Sequence, residues 1–296
     1  MRRLQTREAS TMAIEFSAEK VFDIRGLALA AKEWGRPGSL PVIALHGWLD
    51  NAASFDRLLS HMTDVHVLAM DSAGHGMSDF RSPDSGYDIW QDIADVLAIA
   101  DQMGWDQFTL LGHSRGAIIA ALTAGTAPQR IRHLAMIDGH VPVPVENHNA
   151  ARQMAKSIRD QRRFGASSPS FFPSFERAVT ARADGFLNLE RDAAAVLAKR
   201  GVRQSDRGFY WHNDQRLKAA STIKLTREHI ESFLTAIEAP TLLIHAQDSV
   251  FTADDQQAEL FAWISRLKVI DMPGSHHLHM ERQSLEVAQA IQAFFR

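Results

Sequence analysis

The chain has 296 residues, 45% hydrophobic and 23% charged, a balance that supports a real core and excludes a disordered or fibrous protein. A formal net charge of −3 offers nucleic acid no basic field, and the absence of cysteine excludes disulfides, thiolate catalysis and thiolate-bound zinc. No apolar run is long enough to span a bilayer, and no apolar stretch follows the basic residues at the N-terminus. The expectation is a cytoplasmic protein with no membrane partner, with residues 1–11 as a flexible tail and the patterned sequence starting at Met12.

Residues 20–26 and 27–35 read as a leading hairpin. "LPVIALHG" (40–47) is an apolar run ending in glycine, as expected of a buried parallel strand. "SFDRLLSHM" has helical spacing. "DVHVLAMD" is a second buried strand, and the loop "SAGHGMSD" follows it. "YDIWQDIADVLAIADQMG" places apolar residues three and four apart, predicting a helix that Gly104 ends. "QFTLLGHS" is a third strand, "RGAIIAALTAGTAP" a helix of small residues, and "IRHLAMIDG" a fourth strand.

From Val141 to Ile237 the pattern changes. Charged helical stretches, "NAARQMAKSIRDQRRF" and "ERDAAAVLAKRG", alternate with aromatic loops, "SPSFFPSF" and "RGFYWHND", and no strand of comparable quality appears. Strands return with "PTLLIHAQD" and "RLKVIDMPG", and the amphipathic helix "SLEVAQAIQAFF" closes the chain. Alternating strands and helices predict an α/β fold: a mostly parallel central sheet with helices on both faces. The expected organisation is a core domain of residues 12–140 and 238–296, interrupted by a helical lid at 141–237.

The chemistry centres on Gly112-His113-Ser114-Arg115-Gly116, a G-x-S-x-G pentapeptide between a strand and a helix. That context puts the serine on a sharp turn with its Oγ exposed, and the helix N-terminus favours negative charge beside it. A hydroxyl needs a base to become a nucleophile. The loop "PGSHHLHMERQ" offers His276, His277 and His279. A carboxylate must orient the imidazole; Asp248, past the strand "PTLLIHAQ", is the first choice and Asp138, at the end of "LAMID", the runner-up. Two amides would stabilise an oxyanion: that of Arg115, after the serine, and that of Trp48, in "LHGWLDN", whose His46 is expected to brace the loop. The "HHLH" tract could also gather nitrogens for a metal with His113, His46 and His75, but there is no H-E-x-x-H, and no metal is expected.

Together, "HGW" at 46–48, Asp71 with "GHG" at 74–76, "GHSRG" at 112–116, "QD" ending at Asp248 and "GSHHLHME" at 274–281 resemble the α/β-hydrolase superfamily. "LHGWLDNAASFDRLL" and "YWHNDQRLK" look more narrowly like its serine hydrolase-like proteins. The resemblance implies the α/β-hydrolase fold, favours His276 as the base, and implies hydrolysis of a carboxylic ester, thioester or lactone through an acyl-enzyme without a cofactor. The chain departs from the pattern at Arg115, where relatives often carry an apolar residue, and at Gln283, where proline is common. Dehalogenases and epoxide hydrolases of the superfamily use an aspartate at the elbow, and Ser114 argues against both.

The expected partner is a small-molecule ester substrate, and either a monomer or a homodimer fits. Phe164, Phe171, Phe172, Phe175 and Trp211 are the candidates for an apolar substrate wall in the lid, suited to a medium acyl or aromatic group. The rival readings are a carbon–carbon bond hydrolase or a perhydrolase with the same residues, and a non-catalytic binding protein on the same scaffold.

Overall fold

The computed structural model describes residues 13–139, 141–251 and 255–296. The expected N-terminal tail and Met12 lie outside the described residues. Strands β1 (Phe16–Ile24) and β2 (Leu27–Gly35) form the leading hairpin, as the alternation required. Then come β3 (Leu40–Leu45), a short turn of helix continuing as α1 (Asp56–Leu59), β4 (Val65–Met70), α2 (Ile89–Gln102), β5 (Phe108–His113), α3 (Arg115–Thr126) and β6 (Ile131–Ile137). Gly104, at φ +67°, closes the turn after α2 in a conformation that suits glycine.

The segment after β6 carries α4 (Ala150–Gly165), α5 (Phe175–Ala183), α6 (Arg191–Gly201), β7 (Val202–Ser205), β8 (Gly208–Trp211) and α7 (Arg227–Thr235). The chain then returns to the sheet as β9 (Thr241–Ala246), α8 (Asp255–Phe261), β10 (Leu267–Met272) and α9 (Ser284–Phe294). The hairpin β7–β8 corrects the sequence reading, which expected a loop at "RGFYWHND". Each strand is only four residues long; β7, polar and exposed at its end, shows no strand pattern, and β8 is half-buried throughout and too short for its apolar residues to be told from a loop. Gly208 makes the hairpin possible: at φ +112°, its backbone lies where a Cβ would be 2.5 Å from the Phe172 carbonyl oxygen.

The main sheet has eight strands in the order β1-β2-β4-β3-β5-β6-β9-β10. From β4 to β10 every neighbouring pair is parallel; in this sheet β2 alone runs the other way, antiparallel to both β1 and β4. Period-two alternation divides the core. On β3, Ile43 and Leu45 face the layer of α2, α3, α7 and α8, while Val42 and Ala44 face the layer of α1 and α9. All parallel strands therefore end at one edge, and the loops that follow β3, β5, β6, β9 and β10 meet there.

Two buried ion pairs join the inserted segment to this edge. Arg200 of α6 donates through Nε to Asp71, just past β4, and through Nη1 to Glu19 at 2.7 Å. Arg182 of α5 donates to Asp50 in the loop after β3 at 2.7 Å. Arg200→Met should cost about 3–5 kcal/mol, because it strands the fully buried Asp71 carboxylate without its cation. Urea unfolding at neutral pH checks this; an unchanged midpoint would show that the pair does not anchor the segment.

Candidate active site

Close backbone packing creates the corner at Ser114. A Cβ on Gly116 would lie 1.9 Å from the Leu45 carbonyl oxygen, and one on Gly112 would lie 2.5 Å from that of Gly116. Only glycine fits at either position. Ser114 between them has φ +53° and ψ −119°, a strained geometry for a side-chain residue. Its N–H donates to the Ile137 carbonyl at 3.1 Å, which ties the corner to the end of β6. Ser114 is half-buried, so its hydroxyl sits at the floor of an open edge.

The next residue of β6's loop is Asp138, at φ +39°. Its Oδ2 accepts from His276 Nδ1 at 2.6 Å and from the Ser249 hydroxyl at 2.6 Å; its Oδ1 accepts from the Ala246 N–H at 2.9 Å. Burial alone would raise this carboxyl, but the three donors outweigh burial and hold it below the usual carboxylate range. Asp248, the first choice from sequence, does not meet His276. It is exposed, and its Oδ2 accepts from the Gly274 N–H at 3.2 Å, bracing the turn that carries the histidine. The adjacent strands β6 and β9 both end in an aspartate-bearing loop, and chain order fits either one. The choice was decided by Ser249, which occupies the β9-loop position beside Asp138.

His276 is buried after β10, with its ring against Phe251. Desolvation lowers its pKa; Asp138 pulls it up and the His113 ring pushes it down, leaving it below the ordinary 6.5. The ring is therefore neutral at pH 7, with Nδ1–H directed to Asp138 and an unprotonated Nε2. His277 and His279 play other parts. His277 Nε2 lies 3.6 Å from Asp50, and His279 is wholly buried against the Phe55 and His113 rings. Among the described residues neither nitrogen of His279 has a hydrogen-bond partner, so it serves as a neutral aromatic filler.

Nitrogens of His113, His276 and His277 lie within 4.8 Å of one another. Hydrogen bonds commit several of them elsewhere: His276 Nδ1 to Asp138, and His113 Nε2 to the His276 carbonyl at 2.9 Å. Arg182 Nη2 stands 3.4 Å from His277 Nε2, and that fixed positive charge opposes a metal cation. His46 and His75 are occupied as well. His46 Nδ1–H donates to the Gly47 carbonyl at 2.7 Å, and its Nε2 accepts from the Ser72 N–H at 3.1 Å. His75 Nε2 accepts from the Leu49 N–H at 3.3 Å. The "HGW" and "GHG" motifs therefore brace one loop between them, a role for His75 that no sequence pattern marks.

That loop presents the Trp48 amide, which has no protein acceptor among the described residues. Arg115 is the first residue of α3, where the helix leaves its N–H free. The Arg115 side chain turns away and donates to Asp92 of α2 at 2.5 Å, which explains its departure from the family pattern. Beside these two residues lies a cavity of about 400 Å³, walled by Trp48, Trp90, Ile118, Val143, Leu217 and Leu225. The wall expected from sequence is placed elsewhere. Phe164 and Trp211 line a separate cleft; Phe172 pairs with Phe209 along the backbone; Phe171 packs on Tyr210; Phe175 joins the small core of α5 and α6. The cavity draws instead on Trp48, on residues around the starts of α2 and α3, and on residues 142–143 and 217–225 of the insert.

Residues 41–283 match the family described as alpha/beta hydrolase fold, and the chain belongs to it. Among its relatives, human serine hydrolase-like protein 2 is 29% identical over 287 residues, covering 90% of each chain. A probable serine hydrolase of Drosophila melanogaster is 29% identical over 262 residues, covering 84% of this chain and 79% of the fly protein. The crystal structure of a hypothetical protein from Pseudomonas aeruginosa superposes with a TM-score of 0.88 at 36% identity, covering 94% of this chain and 97% of that one. The protein is thus an α/β-hydrolase close to the serine hydrolase-like proteins, and both the fold and these relatives support hydrolase activity. Among the described residues no helix is long and apolar enough to cross a membrane.

The buried imidazoles predict an acid-labile fold. Burial lowers the His277 pKa to about 4. Between pH 6.5 and about 4 the unfolded chain binds a proton at this ring that the folded chain does not, so stability falls as pH drops through that window, by up to about 3 kcal/mol. His277→Gln should flatten part of this slope in urea midpoints measured at pH 7 and 4.5, the remainder belonging to His46, His75 and His279. A slope identical to wild type would refute the neutral buried ring.

Proposed function

We propose that the protein is a serine hydrolase cleaving a carboxylic ester, thioester or lactone, with Ser114 as nucleophile, His276 as base and Asp138 as the orienting acid. The observation that carries this reading is the 2.6 Å His276–Asp138 pair beside the strained Ser114 corner. Ser114 Oγ attacks the substrate carbonyl carbon as His276 Nε2 takes its proton. The oxyanion is met by the Trp48 and Arg115 amides, whose geometry costs nothing to reorganise. Collapse expels the alcohol or thiol, which takes the proton from His276. Water then gives a proton to His276 and attacks the acyl carbon, and the acid leaves as Ser114 regains its hydrogen.

The 400 Å³ cavity lined by Trp48 and Arg115, with a largely apolar wall and Lys224 on its lining, suits a medium acyl or aromatic acyl group. In this reading the inserted segment covers the site, since Leu217 and Leu225 close one side of that cavity. Asp138 replaces Asp248 as the acid because it alone bonds to the imidazole.

Ser114→Ala should abolish p-nitrophenyl ester turnover and fluorophosphonate labelling; labelling that persists in this variant overturns the assignment. Asp138→Asn should lower kcat by about 10³- to 10⁴-fold, while Asp248→Asn should cost about tenfold or less. The reverse order would restore Asp248 as the acid. Because His276 must be neutral, kcat/KM should fall on acidification with a midpoint below 6.5. A midpoint above 6.5 in a pH–rate profile would contradict this.

A further inference from the structure

One buried carboxylate lies at the centre of the edge and has no part in the mechanism above. Asp50 has a side chain only 1% exposed. Its Oδ1 accepts from Arg182 of α5 at 2.7 Å. Its Oδ2 lies 3.6 Å from His113 Nδ1 and 3.6 Å from His277 Nε2. His113 is the residue before Ser114, and His277 is the residue after His276. His113 also reaches across, its Nε2–H donating to the His276 carbonyl at 2.9 Å. Asp50 itself belongs to the loop that presents the Trp48 amide, and its own N–H closes that loop on the Gly47 carbonyl at 3.2 Å. Room for this arrangement comes from Gly47, where a Cβ would lie 2.8 Å from the Asp50 carboxylate and 3.0 Å from His113 Nδ1.

We propose that Asp50, paired with Arg182 of the inserted segment, is a positioning residue for the reaction, fixing through His113 and His277 the separation of the serine corner, the oxyanion loop and the His276 loop. This rests on the reading of Ser114 and His276 given above. The three loops come from the ends of three different strands, and Asp50 is the group within reach of all of them. Its charge is secured: burial would raise the carboxyl, but Arg182 and the His113 and His277 rings hold it well below the usual range. An anion in that place also acts on the base. His276 is faced by Asp138 and Asp50, which favour its protonated form, and by His113, which opposes it. Arg182 makes the network depend on the inserted segment, so that seating α5 completes the site as well as covering it.

The test separates positioning from mere support of the fold. Asp50→Asn and Arg182→Met are made in the full chain, with near-ultraviolet circular dichroism and thermal unfolding to establish that each is folded. Both should lower kcat on a p-nitrophenyl ester by about tenfold to 100-fold with KM nearly unchanged. Arg182→Lys, which keeps the charge, should recover most of the loss. Folded Asp50→Asn should in addition move the acid limb of kcat/KM to lower pH, a change that a purely structural role would not cause. Should Asp50→Asn fail to fold, the Arg182 pair of variants decides alone. Folded variants with wild-type kcat and an unmoved limb overturn the positioning role while wild-type phosphonate labelling leaves the serine mechanism standing. A wild-type protein that neither turns over esters nor takes up the phosphonate overturns both.

Discussion

The approach of α3 to the end of β3 is the contact on which the site depends. With no side chain on Gly116, the first turn of the helix can rest on the Leu45 and His46 carbonyls. That contact seats the start of α3, with Arg115, against the strand end from which the Trp48 loop departs, and Ser114 at its corner takes its strained geometry. A methyl group there would collide with the Leu45 carbonyl and push the helix away from the end of β3. The strain at Ser114 is sustained because the sheet, the helix and the Ile137 carbonyl all fix the same corner.

Charge follows the same economy. Asp50, Asp71 and Asp138 are all buried at the strand ends, where an isolated carboxylate would be driven to its neutral form. Each is held by a different set of donors. Asp71 has Arg200 and the Ala52 and Met77 amides; Asp50 has Arg182; Asp138 has no cation and relies on an imidazole, a hydroxyl and an amide. The difference matters for chemistry. In the proposed mechanism a guanidinium beside Asp138 would neutralise the charge that stabilises a forming imidazolium. The cations stand where the loops need fixing, and the carboxylate against His276 has none.

Much of the fold was legible because strands of a parallel sheet are buried on both faces and read as apolar runs. The elbow was legible for a related reason: two glycines around a serine, at a strand-to-helix junction, state a steric requirement directly. The acid was not. Asp138 and Asp248 both follow strands, and only the third dimension reveals that Ser249 and Ala246 turn towards Asp138 while Asp248 turns to Gly274. The five aromatics proposed as a wall do not gather at the Trp48 cavity, because an aromatic side chain looks the same in sequence whether it lines a cavity or packs a small core; Phe175 packs the core, and Trp211 does both. Asp50 was passed over because one carboxylate in a loop carries no periodic signal, and its partner Arg182 lies 132 residues away.

Trp48 joins two of these themes in a single residue. Its amide belongs to the loop after β3, while its indole Nε1–H donates to the Leu217 carbonyl of the inserted segment at 3.0 Å, with the residue 45% exposed. Any displacement of that segment must break this bond and change the solvent around the indole. One tryptophan thus ties the loop after β3 to the inserted segment, and its indole lies where the packing of that segment sets its solvent environment.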